Sequence, residues 1–101
     1  MAVRVLVRLQ AHPGEGDRLV DVVSQITPDA RAHEGAGEFE LVRDLDDPDT
    51  VAMVARWRDR AAHEAYMAWR DETGVGTDDL AAVLGAPPVI RYCEIVGEWP
   101  Q

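Results

Sequence analysis

Apolar and polar positions alternate through the first ten residues. "AVRVLVRLQ" puts Val3, Val5, Val7 and Leu9 on one side and Arg4, Leu6 and Arg8 on the other, the two-residue period of a strand. "HPGEGD" turns the chain. From Asp17 the period changes, and Leu19, Val22, Val23 and Ile26 fall at helical spacing. Thr27-Pro28 is expected to end or kink this helix, because proline has no amide to donate. "HEGAG" reads as a loop. "EFELVRD" alternates again, "LDDPD" turns, and "TVAMVARW" is a third strand. So short a connection makes the two an antiparallel hairpin. If it closes symmetrically, Phe39, Leu41, Val51, Met53, Ala55 and Trp57 share one face. Glu38, Glu40 and Arg56 share the other, with Glu38 near Arg56. The stretch "RAAHEAYMAWRDE" from Arg60 is a second helix. After "TGVGT", a short helix "DDLAAVLG" leads to a last strand, "PVIRYCEIVGEW".

The order is β-α-β-β-α-β with a small extra helix. It predicts an α+β, ferredoxin-like antiparallel sheet with both long helices on one face. The whole chain, residues 1–101, reads as one domain. The face away from the helices carries Arg4, Arg8, Glu38, Glu40 and Arg56. Two readings suit it: a solvated sheet surface, or a paired surface in a homodimer, since a chain this short buries a modest core by itself.

Composition narrows the function classes. A formal charge of −9 argues against nucleic acid or an anionic membrane surface as partner. No apolar run approaches a membrane span, and the first ten residues, with their alternating arginines, read as a strand and not as a signal peptide. One cysteine, Cys93, permits no internal disulfide. A cytoplasmic location is therefore expected. All ten basic residues are arginine, and the chain has no lysine or asparagine. Schiff-base chemistry and a phosphate-loop lysine are thereby excluded, as is an asparagine amide at an oxyanion.

Several motifs fail on their spacing. "DLDDPDT" holds four aspartates, but an EF-hand loop needs glycine at position six and glutamate at position twelve, where Asp49 and Ala55 stand. His12, His33 and His63 have no partner at a ligand spacing, so no metal site is expected. "GEG", "GAG" and "GVGTDD" lack the three-glycine fingerprint between strand and helix, so no flavin or nicotinamide site is expected. Ser24 has no nucleophile elbow around it.

The second helix carries the candidate chemistry. At about 100° per residue, Ala61, Ala62, Ala65, Ala68 and Trp69 form one face, which should lie against the sheet. Arg60, Glu64, Met67 and Asp71 form the opposite one. Tyr66 lies at the edge of the apolar face, and His63 and Arg70 lie beyond it, on the polar side. Alanines against a sheet mean close packing or vacant space. Vacant space would be a cavity lined by Trp57, Trp69, Tyr66, Met53 and Phe39, suited to a flat hydrophobic ligand.

The chain resembles the antibiotic biosynthesis monooxygenase family of the dimeric α+β barrel superfamily. The resemblance spans nearly the whole chain. It rests on "HPGEGD", "HEGAGEFELVRDLDDPD", "VARWRDRAAHEAY" and "LGAPPVIRYCEIV", taken in order. It implies a homodimer with sheets packed face to face and a pocket in each subunit. Some members oxygenate aromatic polyketides with O2 and no metal or flavin, the substrate supplying the electrons. This chain departs from the pattern. Tyr66 stands where many members have histidine, and Asp71 where a second histidine is common. With no asparagine in the chain, the haem-degrading branch of the family is not matched.

The resulting expectation is a cofactor-independent monooxygenase of an aromatic polyketide or related phenolic, anthrone-type compound, with O2 as co-substrate. Trp57 and Trp69 would hold the ring system beside Phe39 and Met53. Tyr66 would hydrogen-bond a substrate oxygen, and Arg56 or Arg70 would favour its anion. His63 is a candidate base only if the helix is turned by about one position from its projection. The alternatives are a cofactor-free polyketide cyclase or isomerase and a non-catalytic dimeric ligand-binding or accessory module. A tightly packed alanine face would favour the last.

Overall fold

The computed structural model describes residues 2–101. Four strands form one antiparallel sheet: β1 (Val3–Gln10), β2 (Ala36–Arg43), β3 (Thr50–Trp57) and β4 (Val89–Glu94), in the order β2-β3-β1-β4. Helix α1 (Gly16–Arg31) links β1 to β2, and α2 (Arg60–Thr73) and α3 (Thr77–Val83) link β3 to β4. This is the ferredoxin-like arrangement with one added helix.

Alternation sets the sheet's two faces. Val5 pairs with Ala55, Val7 with Met53 and Leu9 with Val51 across β1 and β3. Phe39 pairs with Ala55 and Leu41 with Met53 across β2 and β3. Directly paired residues point the same way, so these side chains make one apolar face beneath the helices. β4 adds Ile90 opposite Val7 and Tyr92 opposite Val5. The buried side chains form two clusters on this face. One joins Leu9, Leu19, Val23, Val51 and Val83 under α1 and α3. The other joins Val5, Ala30, Ala55, Trp57, Ala62 and Tyr66 under α2. Complete burial of one such aliphatic side chain stabilises the fold by roughly 1.5–3 kcal/mol.

Three elements differ from their expected form. Helix α1 runs through Pro28 to Arg31. Proline removes the amide that would bond the Ser24 carbonyl, yet the helix runs on; the Thr27 hydroxyl donates to the Val23 carbonyl at 2.7 Å and Ala32 N–H closes onto Pro28 and Asp29. The β2–β3 hairpin is not symmetric: its register shifts between Ala36 and Phe39. Arg56 forms its ion pair with Glu98, not Glu38. Strand β4 ends at Glu94, opposite Val3 near the start of β1, so Val96 and Trp99 lie exposed beyond it.

Candidate active site

Helix α2 is fixed at both ends. The Asp59 carboxylate accepts from the Ala62 N–H at 2.8 Å, an N-cap that satisfies one of the free amides of the first turn. That bond lowers the Asp59 pKa below the usual 3.8. At the other end Gly74 takes the left-handed conformation, φ +70°, which glycine adopts without steric cost. The loop ahead of β2 presses on the first turn. A Cβ on Gly35, whose φ is +89°, would come 2.7 Å from Ala62 Cβ.

The helix is turned about one position from the projected orientation. Ala61, Ala65 and Ala68 are exposed, whereas Ala62, His63 and Tyr66 are buried. Met67 and Arg70, expected to point outward, line the cavity below. Three of the four alanines therefore face outward, and only Ala62 packs into the core. Larger side chains on the inner face remove more apolar area from water than alanines can, and Tyr66 stacks on Trp57 with centroids 5.6 Å apart. The polar cost of this turn is met by a distant residue. His63 Nδ1 shares a hydrogen bond of 2.8 Å with the Tyr92 hydroxyl, 29 residues away on β4. A buried polar group with a partner is tolerated where an unpaired one is not.

Between α1, α2 and the sheet lies a cavity of about 120 Å³. Val5, Val7, Phe39, Met53, Trp57 and Ile90 make much of its apolar wall, and His63, Tyr66 and Arg70 bring polar groups to it. Among the described residues, no sealed side-chain nitrogen or oxygen lacks a partner. His63 is 4% and Tyr66 6% exposed; His63 Nδ1 is bonded to Tyr92, and the Arg70 side chain lies beside the Tyr66 hydroxyl. Both side chains line the cavity. Arg70 sits over the Tyr66 ring, 5.9 Å from its centroid, its Nε bonding the Val75 carbonyl; it forms no ion pair with a carboxylate among the described residues.

Burial sets the protonation states. It pushes the His63 pKa below 6.5; Arg70 adds to this and the nearby Glu64 opposes it. At pH 7 more than about three-quarters of a group with pKa below 6.5 is neutral. Burial raises the Tyr66 pKa above 10, against the pull of the Arg70 charge. Tyr66 is thus a hydrogen-bond donor at neutral pH, and His63 is the group able to accept a proton.

Of the residues singled out by sequence, Phe39, Met53, Trp57, Tyr66, His63 and Arg70 meet at the cavity. Arg56 does not: its strand alternation places it on the opposite sheet face, beside Glu98. Trp69 does not line it either. It is half-buried on the far side of Tyr66, edge-on to His33 at 4.6 Å. The turn of α2 carries it there. Sequence reasoning missed His33, whose Nδ1 donates to the Asp29 carbonyl at 2.9 Å and whose ring meets Tyr66 at 5.0 Å. It also missed Tyr92. The alternation of β4 could mark Tyr92 and Ile90 as one face, but only the register with Val5 and Val7 turns that face inward.

The sequence profile described as antibiotic biosynthesis monooxygenase matches residues 2–72. Several solved structures share the fold. SnoaB of Streptomyces nogalater, described as a cofactor-independent oxygenase, superposes with a TM-score of 0.83 at 17% identity, covering 99% of this chain and 98% of that one. A Nitrosomonas europaea protein of unknown function, NE2512, gives 0.79 at 23% identity, with coverage of 99% and 94%. Rv0793 of Mycobacterium tuberculosis gives 0.78 at 18% identity, with coverage of 97% and 98%. No protein with a curated description matches the chain in sequence.

Proposed function

Because the chain belongs to the antibiotic biosynthesis monooxygenase family, we propose that it oxygenates an aromatic polyketide or related phenolic, anthrone-type compound without a cofactor. The observation that carries this reading is the convergence of His63, Tyr66 and Arg70 on one apolar, aromatic cavity. The description of SnoaB as a cofactor-independent oxygenase supports the reaction class.

In this reading Trp57 and Phe39 contact the ring, and His63 Nε2 takes the substrate's acidic proton. A phenol ionises near 10, like tyrosine. Transfer to an imidazole whose proton affinity burial lowers is then uphill. Bonds from Tyr66 and Arg70 to the forming oxyanion, at about 1.5–3 kcal/mol each for charged partners, offset part of that. The resulting anion is electron-rich enough to reduce O2. For an anthrone methylene the balance closes without another reductant: CH2 and O2 give C=O and water. The cavity compares with one of about 150 Å³ that admits benzene. One ring of a polycyclic substrate seats inside it and the remainder lies at the mouth.

The reading includes a homodimer. Leu6, Val42, Ala52, Val54 and Val89 gather on the outer sheet face with Arg8 and Arg91 among them, a surface suited to a second sheet. No helix is long and apolar enough to cross a membrane, and a cytoplasmic site of action belongs to the same proposal. Oxygen uptake by metal-free protein with an anthrone is the direct test. The expected result is one O2 consumed per quinone formed. Equal turnover of the substrate under nitrogen would replace oxygenation with proton-transfer chemistry, and no turnover with ligand still bound would leave a binding module.

A further inference from the structure

We propose that Tyr92 is the positioning residue of the site: its hydroxyl accepts from His63 Nδ1 and so holds the imidazole with the Nε2 lone pair toward the cavity. The inference rests on the proposed proton-accepting role of His63.

Three observations converge on Tyr92. Its hydroxyl lies 2.8 Å from His63 Nδ1, and the two rings meet edge to face with centroids 5.4 Å apart. Strand pairing fixes where that hydroxyl sits, because Tyr92 lies directly opposite Val5 on the inner sheet face. On its other side the Arg60 guanidinium lies over the Tyr92 ring, 4.3 Å from the centroid. A cation over an aromatic face is held by the ring quadrupole. Arg60 therefore pins the ring from α2 while β4 pins it from the sheet.

An imidazole accepts a proton at only one nitrogen at a time, and the bond made by the other nitrogen decides which. Trp57 packs edge-on to the His63 ring at 5.3 Å, which limits tilting and leaves rotation about the ring plane to be fixed. Tyr92 supplies that constraint. It also gives the imidazolium formed during turnover an acceptor for its Nδ1–H. The charged and titratable groups around the imidazole are Glu64 and Arg70 on α2, Tyr66 beside it and Tyr92 on β4. Tyr92 alone among them bonds the ring nitrogen directly.

Tyr92→Phe keeps the ring, the Arg60 contact and the packing while removing the hydroxyl. Nitrogen-detected NMR of the imidazoles in the ligand-free protein reads the effect independently of any reaction. The wild type is expected to show one neutral His63 tautomer, protonated at Nδ1. The variant is expected to show a mixture. With an anthrone as substrate, kcat should fall about tenfold with KM within twofold, alongside a much larger loss in His63→Gln. An unchanged imidazole spectrum in Tyr92→Phe overturns the proposal. So does a wild-type spectrum protonated at Nε2, or a wild-type rate in Tyr92→Phe when His63→Gln is impaired. A wild-type rate in His63→Gln instead removes histidine as the proton acceptor, and with it the catalytic purpose of Tyr92. The spectrum then still decides whether Tyr92 orients the ring.

Discussion

The two ends of the inner sheet face are built from the same alternating strands and are filled in different ways. Under α1 and α3 the side chains are aliphatic: Leu9, Leu19, Val23, Val51 and Val83 are all buried, Leu19 and Val83 completely. Under α2 they are aromatic and hydrogen-bonding. Trp57, Tyr66, His63 and Tyr92 touch as a chain of rings, and they border the cavity, which reaches Leu9 and Val23 of the aliphatic end. Branched aliphatics interdigitate to near crystal density. Flat rings with polar edges must instead be arranged around partners, such as the Tyr92 hydroxyl for His63. One end of the core stabilises the fold, and the other accepts looser packing to present reactive edges.

Substitutions at the two ends should therefore separate stability from activity. The largest effect is expected for His63→Gln, a loss of about 10³ in kcat/KM for oxygen uptake, within the 10²–10⁴ range for a general base. Its urea midpoint should move little by comparison. Leu19→Ala is the converse. It should cost about 3 kcal/mol in denaturant unfolding, as buried leucines do, while kcat of the folded fraction stays within twofold. A large kcat loss in Leu19→Ala would dissolve the distinction between the ends. Tyr66→Phe retains the stack on Trp57 and removes one donor to the anion, so kcat should fall roughly tenfold, near 1.4 kcal/mol.

Acid should act first on the aromatic end. The folded-state pKa of His63 lies below its ordinary 6.5, so the unfolded chain binds the extra proton between the two values. Stability linked to His63 is complete above pH 6.5 and is lost as pH falls through the folded-state value. The wild-type thermal midpoint should drop more than that of His63→Gln across this window. Asp47 and Asp59, with pKa values lowered from 3.8, titrate further down. Activity should rise with pH as His63 deprotonates and stay level until Tyr66 ionises, above pH 10. The smallest effect is expected at Arg56, on the other sheet face with Glu98. Arg56→Gln should leave kcat/KM unchanged within error, and a tenfold loss there would place the chemistry outside this cavity.

The strands and the inner face were legible because period-two alternation is clear in much of β1 and β2, and the short turn carries it into the largely apolar β3. The aromatic wall followed from it, since Phe39, Met53 and Trp57 are strand residues whose direction alternation decides. The orientation of α2 did not follow. Four alanines blur the contrast between its faces, and its inner face carries a histidine and an arginine that a hydropathy projection sends to solvent. What turns the helix is held elsewhere: Asp59 at the cap, Gly35 in a loop and Tyr92 on β4. Pro28 likewise lies within α1 without ending it, which proline's local chemistry alone did not foretell.

Helix α2 is secured at its ends, by the Asp59 carboxylate and by left-handed Gly74, while empty space lies below its span. It resembles an arch with the keystone left out. Whatever molecule completes it adds the packing that the chain alone does not make, and ties α2 to the sheet at midspan. By mass action, a ligand at a hundred times its Kd raises the unfolding free energy by about 2.7 kcal/mol. Heat thus becomes a way of asking the protein what it was shaped to hold.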